Sequence, residues 1–182
     1  MKFAVIFLLL WSYFYNSKSF ILLFEKLYNC DNVRNRIIFN LNYNYSTATF
    51  NGNGYMDILD RINPEDNYKI TTDIYKKIDN EWIKNNYISR PKASLCIEIL
   101  ADFLVFPVVH KVTRISDHCP IIQGRYVIQM SKIHTKHHPV VPFGCWKFII
   151  EVEKSETKHY EKVCGVVNSI NSMKSNNTIK CD

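Results

Sequence analysis

Six cysteines, at positions 30, 96, 119, 145, 164 and 181, constrain the fold of this chain more than any other feature of it. What they do depends on the compartment, and the first residues bear on that. Lys2 gives a short positive start, Phe3 to Tyr15 form an apolar run broken only by Ser12, and Ser17-Lys18-Ser19 puts small residues where a signal peptidase reads. The pattern predicts a secretory signal peptide over residues 1–19, cleaved after Ser19. The run is too short for a membrane anchor, which needs ~20 apolar residues. A secreted, extracellular chain with an even number of cysteines is expected to bridge them, each bridge adding roughly 2–4 kcal/mol by restricting the unfolded chain. The cysteines alone leave the pairing open. Two glycosylation sequons, Asn44-Tyr45-Ser46 and Asn176-Asn177-Thr178, suit the same route.

Without residues 1–19, 163 of the 182 residues remain, the size of one ordinary domain. Such a chain buries roughly 68–70% of its unfolded surface and needs no metal to build a core. At 47% hydrophobic and 22% charged residues it is globular rather than disordered. The formal charge of +6 falls to +4 once Lys2 and Lys18 leave, because residues 1–19 hold no acid. The remaining charges are interspersed. That argues against a nucleic-acid partner and supports no more than a mild attraction to anionic membrane surfaces.

Periodicity sets the fold class. Phe39, Leu41, Tyr43 and Tyr45 alternate with Asn40, Asn42 and Asn44, which reads as a half-buried strand with Asn44 on its polar side. Asn51-Gly52-Asn53-Gly54 reads as a hairpin turn, or as a bulge or close approach within a strand. Tyr68, Ile70, Thr72 and Ile74 alternate with Lys69, Thr71 and Asp73. Tyr126, Ile128 and Met130 form a third set, and Trp146, Phe148, Ile150 and Val152 a fourth, opposed to Lys147, Ile149, Glu151 and Glu153. A turn at Ser155–Lys158 then leads to a returning strand, Tyr160–Val167. From Pro91 to Phe106 the period changes: Leu95, Ile99, Leu100, Phe103 and Leu104 recur at helical spacing between two prolines, predicting one short inserted helix that Pro107 ends. The expected fold is mainly β, an antiparallel β-sandwich or β-cup. Its domain spans residues 20–170, and residues 171–182 form a polar C-terminal tail, the polar stretch beginning near Asn168.

The chemistry-bearing residues point away from an enzyme. His134, His137 and His138 lie close together, but Pro139 follows and no fourth ligand is evident, so a solvated loop is expected rather than a metal site. His118 stands beside Cys119, but a bridged sulfur is no nucleophile. There is no Gly-x-Ser-x-Gly elbow, no His-Glu-x-x-His helix, no phosphate-binding glycine loop and no close carboxylate pair. No cofactor is expected. With 11 Phe and 11 Tyr, the aromatic residues fit either a closed sandwich core or sheets splayed around an apolar cavity.

Asp117-His118-Cys119-Pro120-Ile121-Ile122-Gln123-Gly124-Arg125-Tyr126 resembles the Cys-Pro-x-x-x-Gly-x-Tyr signature of the insect chemosensory B-type proteins, relatives of the ganglioside activator within the ML-type lipid-recognition group. Pro142-Phe143-Gly144-Cys145-Trp146-Lys147-Phe148 is similar to that family's Pro-x-Gly-x-Trp start of a long strand. Leu95-Cys96 and Phe24 to Cys30 resemble its segments around earlier cysteines, and Cys164 sits where the ganglioside activator has a cysteine near its last strand. Cys145 and Ile121 depart from the pattern. The resemblance implies an immunoglobulin-like ML-type sandwich or cup that accepts acyl chains, with bridges Cys96–Cys119 and Cys30–Cys164. It also implies a role in binding or transferring a lipid, or in presenting a pheromone-like ligand.

Inward parity and the resemblance together give a candidate pocket lining: Phe39, Leu41, Tyr43, Ile70, Ile74, Tyr126, Ile128, Trp146, Phe148 and Ile150, with Phe103 and Phe106 near the mouth. The expected partner is a lipid or other hydrophobic small molecule, with a receptor or a membrane surface as further contacts. The other reading is a ligand-free structural or receptor-partner module with a closed core. Cys145 and Cys181 remain over, and are expected to pair with each other, unless the terminal position of Cys181 leaves it free or joins two molecules.

Overall fold

Each alternating strand has one apolar face to hide, and two antiparallel sheets stacked face to face hide them mutually. A computed structural model of the protein describes residues 20–46, 51–102, 106–130, 133–135, 142–171 and 180–181. The predicted signal peptide, Phe103, His137, His138 and Asn176 lie outside the described residues. Among those described, the chain runs β1 (Phe20–Asn29), β2 (Phe39–Ser46), β3 (Asn51–Ile58), β4 (Tyr68–Ile78), β5 (Glu81–Lys84), β6 (Arg90–Ser94), α1 (Leu95–Ala101), α2 (Phe106–Thr113), β7 (Gly124–Met130), β8 (Ile133–Thr135), β9 (Gly144–Lys154) and β10 (His159–Asn171). The larger sheet has the order β5-β4-β9-β10-β1-β8, with β6 also on β4, and the smaller has the order β2-β3-β7. The fold is a mainly β sandwich of antiparallel sheets.

The β9–β10 hairpin is the spine of the larger sheet, in one unbroken register from Lys154↔His159 to Gly144↔Ser169. β4 joins β9 over Tyr68–Lys76, which places Ile70, Ile74, Phe148 and Val152 on one face. The β4–β5 hairpin turns on Asp79 and Asn80, both at positive φ (48° and 68°), a conformation that Asp and Asn tolerate better than most side chains.

Four expectations need correction. Asn51–Gly54 is the start of β3, not a turn. Gly52 leaves room for a neighbour there, since a Cβ on it would meet the Tyr43 hydroxyl at 1.7 Å. The single helix is two: Asp102 leaves helical geometry (φ −78°, ψ 120°), and its Oδ2 accepts the Phe106 N–H at 2.8 Å, so its side chain caps α2 instead of continuing α1. Pro107 therefore sits in the first turn of α2, where a missing N–H costs little, and Pro91 lies in the short strand β6. His134 belongs to β8, which pairs with β1, and not to a loop. Asn168 and Ser169 are strand residues, 3% and 1% exposed, rather than tail.

Three disulfides close the fold: Cys30–Cys164, Cys96–Cys119 and Cys145–Cys181. The third returns the chain end to the outer face of the larger sheet. Cys181 is 2% exposed there, beside Cys145, Val166 and Trp82. Its N–H donates to Glu25 Oε2 (2.9 Å), and its carbonyl accepts from Lys77 Nζ (3.3 Å).

The two sheets meet at a buried carboxylate. Glu161 on β10 is fully buried, and it accepts the backbone N–H groups of Ile37 (2.6 Å), Ile38 (3.1 Å) and Phe39 (2.9 Å) at the start of β2. His159 Nε2 lies 2.9 Å and Arg36 Nη1 3.6 Å from the same carboxylate. A buried charge is tolerable only when paired and hydrogen-bonded in this way. Glu161→Gln turns part of that acceptor into a donor facing three N–H groups, and is expected to lower stability by about 2–3 kcal/mol. Urea unfolding checks this: the midpoint falls with the slope unchanged, and an unaltered midpoint contradicts it.

Candidate functional site

The interior divides into two apolar clusters. One gathers around Ile38, Phe39, Ile70, Leu95 and Val152, the other around Leu22, Phe24, Leu41, Ile128 and Val167. Between them lies a cavity of about 130 Å³. The larger sheet supplies Phe24, Leu27, Ile70, Phe148, Ile150, Val152 and Val163 to its wall, and the smaller sheet supplies Phe39, Leu41, Met56, Ile58 and Ile128. Helix α2 covers a further side with Phe106, Val108, Val109, Val112 and Thr113. Thr113 is the polar member of this lining, and its hydroxyl is already engaged: it donates to the Val109 carbonyl (2.7 Å) and accepts the Ile115 N–H (3.2 Å). No wall group is therefore left to compensate a polar atom placed inside, so the site admits hydrocarbon and rejects charge.

Of the candidate lining residues, Phe39, Leu41, Ile70, Ile128, Phe148 and Ile150 line the cavity, and so does Phe106, expected near its mouth. Tyr43, Ile74, Tyr126 and Trp146 do not. The Tyr43 hydroxyl reaches back to the Phe24 carbonyl (3.4 Å), and the Tyr126 hydroxyl to the Ile122 carbonyl (2.6 Å), so both rings end at backbone acceptors. Trp146 donates its Nε1–H to the Pro142 carbonyl (2.8 Å) and lies beyond Phe148 along β9, while Ile74 stands level with Phe148 on β4. Asn44 is exposed on β2, where a glycan meets no core residue.

The wall contributed by α2 was hidden in the sequence. Pro107 reads as a helix end, although the spacing of Val108, Val109 and Val112 beyond it places them on one helical face. Ile38, Ile62 and Ile121 also line the cavity, from segments whose signal is too short to read as strands.

A second, polar pocket of about 220 Å³ lies where β4 begins and β9 ends, walled by Asp60, Asn63, Asp66, Tyr68, Lys154 and Glu156 among others. Asp60 Oδ2 accepts from the Tyr68 hydroxyl (2.6 Å) and from Lys154 Nζ (2.7 Å). The Lys154 hydrogen bond, then that of Tyr68, holds the Asp60 carboxyl below the usual carboxylate range. Among the described residues no three His, Cys, Asp or Glu side chains gather as metal ligands, and no helix is long and apolar enough to cross a membrane.

No protein-family model and no curated protein sequence matches this chain. Its site must be read from its own geometry.

Burial, with a smaller contribution from Tyr45, pushes the Tyr43 hydroxyl up to about 12. A group whose folded pKa exceeds its unfolded value of ~10 contributes stability that is full below pH ~10 and is lost as pH rises towards ~12. Tyr43→Phe is expected to flatten the alkaline fall of the thermal unfolding midpoint. An alkaline limb identical to that of the wild type contradicts the placement of this ring.

Proposed function

We propose that the protein is a secreted binder of lipid-like or other small hydrophobic ligands, holding the apolar part of the ligand in the cavity between its sheets while the polar part stays outside. The observation that carries this reading is a wall of apolar side chains whose hydroxyl, on Thr113, is satisfied within the protein. Secretion is supported by the signal-like start, the sequon at exposed Asn44 and the three disulfides. The resemblance to the insect chemosensory B-type and ganglioside-activator proteins favours the same class, and adds ligand transfer or presentation in chemosensation as the physiological setting. A receptor or a membrane surface is the partner such a carrier needs, and binding rather than catalysis is the activity.

Size limits what the cavity holds at rest. At about 130 Å³ it approaches the ~150 Å³ apolar cavities that take up benzene. Burying about six carbons at ~0.8 kcal/mol each gives ~5 kcal/mol, a Kd on the order of a millimolar or somewhat below. A whole acyl chain requires the sheets or α2 to move apart. The same volume is the observation that favours the second reading, a ligand-free structural or receptor-partner module, since ligand pockets usually exceed ~300 Å³.

Native mass spectrometry of the chain purified from a eukaryotic secretion host separates the two. The binding reading expects a copurified apolar ligand, or uptake of added short-chain alcohol. Val109→Phe fills the cavity from α2 and is expected to abolish uptake at a stability cost within about 1–2 kcal/mol. Wild-type protein that carries nothing and takes up nothing supports the ligand-free module.

A further inference from the structure

We propose that Phe148 sets the length of the apolar chain that this cavity accepts, an inference that rests on reading the cavity as a ligand site. On three strands of the larger sheet the wall ends along an oblique edge: Ile70 on β4 stands level with Val152, Phe148 is the last lining residue of β9, and Phe24 on β1 stands level with Trp146. On β9, Phe148, Ile150 and Val152 line the cavity, but Trp146, the next inward residue, does not. On β4, Ile70 lines it, but Ile74, which pairs with Phe148, does not. On β1, Phe24 and Leu27 line it, but Leu22 does not. Outside that edge Leu22, Ile74, Trp146 and Val167 are buried, each 5–7% exposed.

The partition is the Phe148 ring itself, which meets Phe24 edge-on with centroids 6.4 Å apart and planes at 68°. Its position depends on Gly165, its partner on β10, over which the ring lies. A Cβ at residue 165 would stand 2.0 Å from the end of the ring, so any other residue there drives the ring away. The Phe24–Phe148 pair thus forms an end wall, and the carbons that fit in front of it number about six by the benzene comparison. The ligand class this selects is a short unbranched or aromatic apolar group. Removing the Phe148 ring lengthens the cavity towards the block formed by Leu22 and Val167.

Calorimetric titration of the full chain with the straight-chain alcohols from butan-1-ol to decan-1-ol tests this. In the wild type, affinity is expected to rise about fourfold per carbon up to about six carbons and then to level off. In Phe148→Ala the rise continues for at least about two more carbons, so decan-1-ol binds at least about tenfold more tightly than to wild type. Phe148→Leu, the variant safer for folding, shows a smaller extension in the same direction, and Gly165→Ala moves the break to shorter chains. Variants that bind the alcohols with the break at the wild-type length overturn the role of Phe148. A wild type that binds no alcohol of any length overturns the ligand-site reading itself, and this inference with it.

Discussion

The structure depends on one carboxylate in the wrong medium. Glu161 sits on the inward face of β10, where the next three positions of its parity are Val163, Gly165 and Val167, and it is fully buried. It is stable there because the chain at the start of β2 offers it three backbone N–H groups, with Arg36 and His159 beside them. Those N–H groups lie on the segment that leads into the smaller sheet and the carboxylate lies on the larger one, so a single side chain ties the two sheets together at that end. Nearby contacts reinforce it: Asp31 takes both the Arg36 guanidinium and the Lys162 N–H, and Cys30 is bridged to Cys164 across 134 residues of chain. Cross-linking so long a loop removes more unfolded-state entropy than either of the other bridges does.

A sandwich pinned in this way cannot collapse uniformly onto its core. Val163, two residues from Glu161, already faces the cavity, which separates two apolar clusters instead of merging them. The space has no polar group to hold water in place, and α2 covers it with a valine-rich face. A void of this kind is either a packing defect or a place for hydrocarbon. Its position under a helix capped by a single aspartate, and the end wall set by Phe148 over Gly165, favour the second.

How much of this could be read from the sequence follows from the range of the interactions. β2, β4 and β9 are legible because inward parity is a local property: alternation puts Phe39, Leu41, Ile70, Phe148 and Ile150 on one face of their strands. Which inward residues touch the cavity was not legible, since depth along a strand depends on cross-strand register. Trp146 and Phe148 look alike in sequence, yet one is packed beyond the wall and the other is the wall. The break between α1 and α2 rests on one hydrogen bond, from the Phe106 N–H to Asp102, and a proline that reads as a helix end lies in the first turn of the next helix. Glu161 reads as an ordinary polar residue of a strand, because its partners lie more than 120 residues upstream.

The central claim is that the space between the sheets takes up hydrocarbon. Methyl-labelled NMR tests it most directly, following the isoleucine and valine methyls of the full chain while hexan-1-ol is added. The account predicts saturable shifts concentrated at Ile70, Val109, Ile128 and Ile150, with the exposed Ile97 and Ile122 unmoved. Shifts that never saturate, or that gather at Ile97 and Ile122 while the interior methyls stay still, would contradict it.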